Sequence, residues 1–126
     1  MTISEFLNIA EGSPINLVEL DAFEKFYGVT LSDEAAKYFC ALPNGDFLTA
    51  QNERFMHVLD SETILFANEL ISTSFAKHKV LPLIDMSDGV YLSYSQDGQC
   101  WGFFSIDDQC LFNASPSLPE LFTKIA

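Results

Sequence analysis

The sequence is poor in basic residues: six lysines and arginines stand against 18 aspartates and glutamates, for a formal net charge of −12. Nucleic acids and anionic lipids are bound by proteins that neutralise phosphate with Lys and Arg, so this charge argues against both as partners. A surface this acidic attracts cationic partners and speeds their association. Acidity also serves solubility alone, and the charge by itself leaves both explanations open.

The chain also lacks an uninterrupted apolar run of about 18 residues, so no membrane-spanning helix is expected. Its first residues, MTISEFLNIAEG, carry acids in place of the basic start of a signal peptide, and they contain no long apolar block. We therefore expect a cytosolic protein. The length predicts one domain, residues 1–126, and the 48% apolar content with 12 Phe predicts a globular core.

Residue patterns of catalytic and metal sites are missing. The cysteines and histidines show no C-x-x-C or H-x-x-x-H spacing; they are Cys40, Cys100, Cys110, His57 and His78. The sequence has no G-x-S-x-G elbow and no glycine-rich phosphate loop. An odd number of cysteines without an export signal favours free thiols, which we interpret as small, buried or half-buried apolar residues. We expect no enzyme, no metal and no cofactor.

The N-terminal half has the spacing of short amphipathic helices. Residues 3–10 predict a first helix. A capping box of Asn16 and Glu19 predicts a second, which ends at Gly28 and buries Leu17, Leu20, Phe23 and Tyr27. Ser32 caps a third, with core positions Ala35, Ala36, Phe39 and Cys40 and a stop at Pro43-Asn44-Gly45. Residues 54–59 predict a short strand, and a further helix is expected from Asp60 or Ser61 onward.

From Val80 the apolar period changes to two. The segments VLPLID, VYLSYS, CWGFFSI and QCLFNAS predict four strands, and SLPELFTKI predicts a closing helix. A type I′ turn at Asp97-Gly98 and a two-residue turn at Asp107-Asp108 set the register. The sequence therefore predicts an α+β fold: an antiparallel meander of about four to six strands, packed against N-terminal helices and closed by a C-terminal helix.

This register assigns the side chains of the meander to two faces. One face is expected to be the core, with Trp101 opposite Ala114; its members are Val90, Leu92, Tyr94, Trp101, Phe103, Phe112 and Ala114. The other face is polar except for one row, Tyr91, Phe104 and Leu111. Such a row is covered by a loop or contacts a partner or a second copy, and covering is slightly favoured because monomers rarely leave it in water.

Alternate turns of a meander lie at the same end of the sheet, which gathers four acids there: Asp85, Asp88, Asp107 and Asp108. No Lys or Arg of the sheet opposes them. Ordinary turn chemistry is the favoured explanation of these aspartates. The alternative is a rim that steers a cationic protein, with Tyr91, Phe104 and Leu111 as apolar anchors beside it.

The order of landmarks in residues 17–45, LVELDAFEKFYGVTLSDEAAKYFCALPNG, resembles that of the SUKH superfamily, relatives of yeast cell-wall assembly regulators. The matching features are Glu24 with Gly28, then Leu31, Phe39 and Asn44-Gly45. Ser32 stands where members usually have Pro, and the usual glycine and acid before the central strand are represented only by Asp88-Gly89. The resemblance spans residues 17–125.

The resemblance implies a SUKH-like fold and a non-catalytic bacterial immunity protein that neutralises a cognate toxin, often a nuclease. The sequence leaves open whether the protein is a monomer or a homodimer. A basic nuclease groove suits a partner with a net charge of −12. A second hypothesis is an interaction scaffold with a partner that is not a toxin, like the yeast regulators. A small-molecule binder or enzyme has no supporting residue set.

Overall fold

Four helices and six strands make up the described part of the chain. The computed structural model describes residue 2 and residues 15–41, 45–48, 55–58, 69–86 and 89–125, with the backbone alone for 45–48, 55–58, 69–72 and 125. The helices are α1 (Leu17–Tyr27), α2 (Asp33–Ala41), α3 (Glu69–His78) and α4 (Leu118–Ile125). The strands are β1 (Gly45–Leu48), β2 (Phe55–Val58), β3 (Val80–Asp85), β4 (Val90–Ser95), β5 (Cys100–Ser105) and β6 (Cys110–Ser115).

The helix starts follow the capping residues that the sequence predicts. The Glu19 backbone N–H donates to Asn16 Oδ1 (2.8 Å) and the Asn16 N–H donates to Glu19 Oε1 (3.2 Å), which is a complete capping box. Helix α1 ends at Gly28, whose φ of +66° lies in the left-handed region. Ser32 Oγ accepts from the Ala35 N–H and caps α2. The predicted helix at residues 3–10, the stop at Pro43-Asn44 and the helix start near Asp60 lie outside the described residues.

The strands form one antiparallel meander in the order β1-β2-β3-β4-β5-β6. This confirms the predicted α+β class and the meander. The predicted pairing of β4 with β5 is confirmed from Val90–Ser105 to Tyr94–Trp101. Strand β1, for which the sequence analysis gave no prediction, pairs with β2 and adds a further strand to one edge.

The two hairpin turns differ from the predicted two-residue turns. Each spans four residues and carries its left-handed residue last, Gln99 (φ +46°) and Gln109 (φ +53°). Gly98 is not left-handed, so the prediction of a type I′ turn is wrong. The predicted register is nevertheless kept. A two-residue turn and a four-residue loop centred on the same two residues place the same strand residues opposite each other.

A β-bulge in β6 changes the last part of the predicted register. Asn113 has φ +53°, and Trp101 pairs with Ser115 where Ala114 was predicted. The extra residue of a bulge shifts every later side chain to the other face. Ala114 is therefore exposed and Ser115 is buried, so the placement of Ala114 in the core is wrong.

Both faces of the sheet are packed. On the predicted core face, the Trp101 ring stacks on Phe39 of α2 at 5.6 Å between centroids, and Leu92, Tyr94 and Phe103 are buried. On the other face, Phe75 of α3 packs against Phe104 at 5.4 Å. Phe112 lies on the core face but is 40% exposed, because β6 is the last strand; its placement in the core is wrong. Helix α4 adds Leu118, Leu121 and Phe122 to the core.

Candidate functional site

The acidic connections lie at one end of the sheet, as the sequence predicts. The backbone N–H of Ile106 donates to the carbonyl oxygen of Gly89 over 2.9 Å, which places the connection after Asp85 next to the turn that holds Asp107 and Asp108. The turn with Asp97 lies at the other end, where the Gln96 N–H donates to the Lys79 carbonyl oxygen. Asp88 lies outside the described residues.

The turn aspartates reach solvent from a defined backbone. Asp107 and Asp108 are both exposed. The Ser105 hydroxyl accepts from the Asp108 N–H (3.2 Å) and donates to Asp108 Oδ2 (3.4 Å). Gln109 closes the turn, since its Nε2 donates to the Ile106 carbonyl oxygen (2.6 Å) and to Ser74 Oγ of α3 (3.0 Å). These hydrogen bonds anchor the turn to helix α3 and hold the backbone from which the carboxylates of Asp107 and Asp108 project.

Asp85 differs from the turn aspartates because it is half-buried at the end of β3. It lies opposite Tyr91 of β4 and opposite His57 of β2 in the register. Burial, and then the negative charge of Asp85, raise the pKa of Tyr91. The Tyr91 hydroxyl therefore stays neutral at physiological pH and leaves the charge of this corner to the aspartates.

Strands β3 to β6 supply no basic side chains at the acidic end of the sheet. Strands β3 to β6 contain no Lys or Arg. Lys25 pairs with Asp21 (2.9 Å) and Lys124 with Glu120 (3.5 Å), both between exposed side chains on helices. Lys79 donates to the Gly28 carbonyl oxygen (3.2 Å) at the opposite end of the sheet. Strands β3 to β6 thus contribute no positive charge beside Asp107 and Asp108.

The apolar row proposed as a partner contact is part of the core. Phe104 is 1% exposed and lies under the rings of Phe75 and His78, each 5.4 Å away between centroids. Tyr91 contacts Phe75 edge-on at 5.1 Å, and Leu111 is half-buried over Gly102. Among the described residues, helix α3 covers Phe104 and packs on Tyr91, where a covering loop was favoured. Phe104 is not a surface contact, and Tyr91 and Leu111 are half-covered.

In the described part of the chain, four large apolar side chains are exposed, and two of them, Leu17 and Phe112, were predicted to be buried. They are Leu17 (72%), Val18 (80%), Phe26 (50%) and Phe112 (40%). Leu17 was predicted to be buried and is not, whereas Leu20, Phe23 and Tyr27 of the same helix are buried. The exposure of Phe112 could have been predicted from its place in the last strand of the meander, which pairs with β5 on one side.

The cysteines are free thiols. Cys40 and Cys100 are half-buried, and burial raises the pKa of both, whereas Cys110 is exposed and so does not fit the predicted burial. Among the described residues, no group of three or more His, Cys, Asp or Glu side chains converges on a common point that could hold a metal ion. Within the same residues, no helix is both long and apolar enough to cross a bilayer.

Comparison of the chain with protein-family models, curated proteins and solved structures gave no match. The resemblance to the SUKH superfamily therefore stays a prediction from the sequence. What the structure adds is the geometry of an acidic end on a six-stranded meander.

Proposed function

We propose that this protein is a non-catalytic immunity protein that binds a cationic toxin domain through the acidic end of its sheet. The observation that carries the proposal is the juxtaposition of the Asp85 connection and the Asp107-Asp108 turn, joined by the hydrogen bond from Ile106 to Gly89. The SUKH-like landmarks of residues 17–45 support the immunity class. The net charge of −12 supports a basic partner.

The physical basis is electrostatic steering followed by close contact. Charges of one sign that gather at one rim raise the local concentration of an oppositely charged partner and orient it on approach. Toxins that cleave nucleic acid need Lys and Arg to hold phosphate, so their substrate groove is basic. An acidic protein seated in such a groove blocks substrate access or the active site without any chemistry of its own. Asp85, Asp107 and Asp108 are the contacts we propose, together with Asp88.

The experiment is a neutralisation assay with the toxin domain encoded beside this gene. The purified toxin domain is assayed for nuclease activity alone and with increasing amounts of this protein. The proposal predicts that activity is lost at a stoichiometric ratio. Full toxin activity in the presence of excess protein, or a gene neighbourhood without any toxin, would contradict it.

A further inference from the structure

Strand β6 is the last strand of the sheet that the described residues form. Among the described strands, β5 is its only neighbour. An edge strand leaves a row of backbone N–H and C=O groups without partners in the sheet, and proteins usually block it with Lys, Pro or inward-pointing charges. The six residues of β6, CLFNAS, contain neither charge nor Pro. The opposite edge strand, β1, has four residues and includes Asp46.

The exposed ring of Phe112 lies in the middle of this edge. Its centroid is 5.6 Å from that of the buried Phe103, so the two rings continue the core onto the surface. An extended segment beside β6 would cover the 40% of Phe112 that solvent now reaches. Burial of apolar surface and backbone hydrogen bonds then act together, which is how strand addition gains affinity.

The bulge at Asn113 limits this pairing and opens a groove. Regular strand geometry is interrupted after Phe112, because the left-handed Asn113 turns the backbone before Ser115 pairs with Trp101. Beyond it, a groove of about 640 Å³ lies between β6 and helix α4, with Phe103 and Leu121 among its lining residues. Ser115 and the Glu120–Lys124 pair also line it. The groove has room for a side chain of a paired segment, with Phe103 and Leu121 as its apolar contacts.

Charge selects the kind of segment. Asp107 and Asp108 lie in the turn before β6, so the acids, Phe112 and the groove follow one another along one edge. A second copy of this chain carries the same net charge of −12 and is repelled. A segment with basic side chains at one end and an apolar side chain at the other matches the order of these features.

We infer that β6 is the docking edge for an extended segment of the cationic partner. The segment pairs with Cys110 to Phe112, places its basic side chains at Asp107 and Asp108, and inserts an apolar side chain between β6 and α4. This inference rests on the proposed function for the class of partner and adds the surface and the mode of binding.

The test uses a synthetic peptide in which valine and threonine alternate, with lysines at one end. A matched peptide carries N-methyl groups on alternate amides, which removes the backbone donors along one side but keeps charge and composition. We expect the plain peptide to perturb the amide NMR signals of residues 110–115 and to slow their hydrogen exchange. The N-methylated peptide should bind at least about tenfold more weakly, a difference of about 1.4 kcal/mol.

Variants separate this edge from the other exposed apolar residues. Phe112→Thr should weaken binding of the plain peptide by about tenfold. Phe26→Thr, which changes a similarly exposed phenylalanine of α1, should leave that binding unchanged. Signals that move on α1 and not on β6, equal binding of the two peptides, or no binding at low salt would each overturn the inference. So would self-association through β6.

Failure here is distinguishable from failure of the proposed function. If the toxin domain is neutralised but the amides of β6 keep their hydrogen-exchange rates in the complex, docking at β6 is contradicted. The proposed immunity function is then unaffected. If the peptide docks on β6 but no toxin is neutralised, the immunity function is contradicted and β6 remains a docking edge.

Discussion

Ile106 and Gly89 are joined by a backbone hydrogen bond of 2.9 Å that lies just beyond the last pair of β4 and β5. This bond ties two acidic connections of the chain to one end of the sheet. It also sets them apart from the Asp97 turn at the other end. Asp97 and Asp107 occupy equivalent positions in the two hairpin turns, but they lie at opposite ends of the sheet. Neutralising each of them in turn therefore separates the effect of an aspartate's position from the effect of its charge.

The burial of Phe104 predicts a large loss of stability on truncation. Phe104→Ala should lower the free energy of unfolding by about 3–5 kcal/mol, because it leaves a cavity under Phe75 and His78. Phe112→Ala should cost about 1 kcal/mol, because that ring is 40% exposed. Chemical denaturation measures both. Equal costs would contradict the placement of Phe104 in the core and Phe112 at the edge.

Gly102 is predicted to be required by its neighbour Leu111. A Cβ at this position would lie 2.8 Å from Leu111 Cγ, closer than side-chain carbons normally approach. Gly102→Ala should therefore destabilise the protein by about 1–3 kcal/mol. In a double-mutant cycle, Leu111→Ala should remove most of that cost. Costs that simply add would show that the two residues do not compete for the same space.

The two left-handed glutamines should respond differently to glycine. Gln99→Gly relieves a non-glycine residue at φ +46° and should stabilise the protein by about 0.5–1 kcal/mol. Gln109→Gly gives the same backbone relief but loses the hydrogen bonds to Ser74 and Ile106, so it should destabilise by about 1 kcal/mol. Thermal or chemical denaturation measures both variants. A stabilising Gln109→Gly would contradict the anchoring of that turn to α3.

Alkaline pH should destabilise the protein through Tyr27. Burial, and then the charge of Tyr91, raise the pKa of the Tyr27 hydroxyl. Because the folded pKa lies above the unfolded value of about 10, the stabilising effect of the neutral hydroxyl is complete below that pH and is lost as the pH rises further. Tyr27→Phe should flatten this loss in denaturation curves measured up to high pH. An unchanged slope for Tyr27→Phe would contradict the role of this hydroxyl.

The parts of the fold that the sequence predicted are those encoded by local chemistry. The capping box at Asn16, the exit at Gly28 and the alternation from Val90 to Ser105 are properties of neighbouring residues, and the structure confirms them. The parts it could not predict depend on neighbours distant in sequence. Whether Phe104 or Phe112 is covered depends on where α3 packs and on which strand is last.

The acidic end could be predicted for a similar reason. A meander places alternate turns together, so counting strands was enough to bring the Asp85 connection to the Asp107 turn. The bulge at Asn113 has only a weak sequence signal, since Asn tolerates φ near +53° but does not require it. The open edge and its groove therefore became visible only in the structure.

The most direct test of the central claim is the association rate of the toxin domain as a function of salt. We predict a steep fall from about 10 mM to about 1 M ionic strength, because the Debye length shrinks from about 30 Å to about 3 Å. Asp107→Asn with Asp108→Asn should slow association at low salt by about tenfold and flatten the dependence, while Asp97→Asn should have little effect. A rate that is independent of salt, or an Asp97→Asn effect as large as that of the double variant, would contradict a cationic partner docking at this end of the sheet.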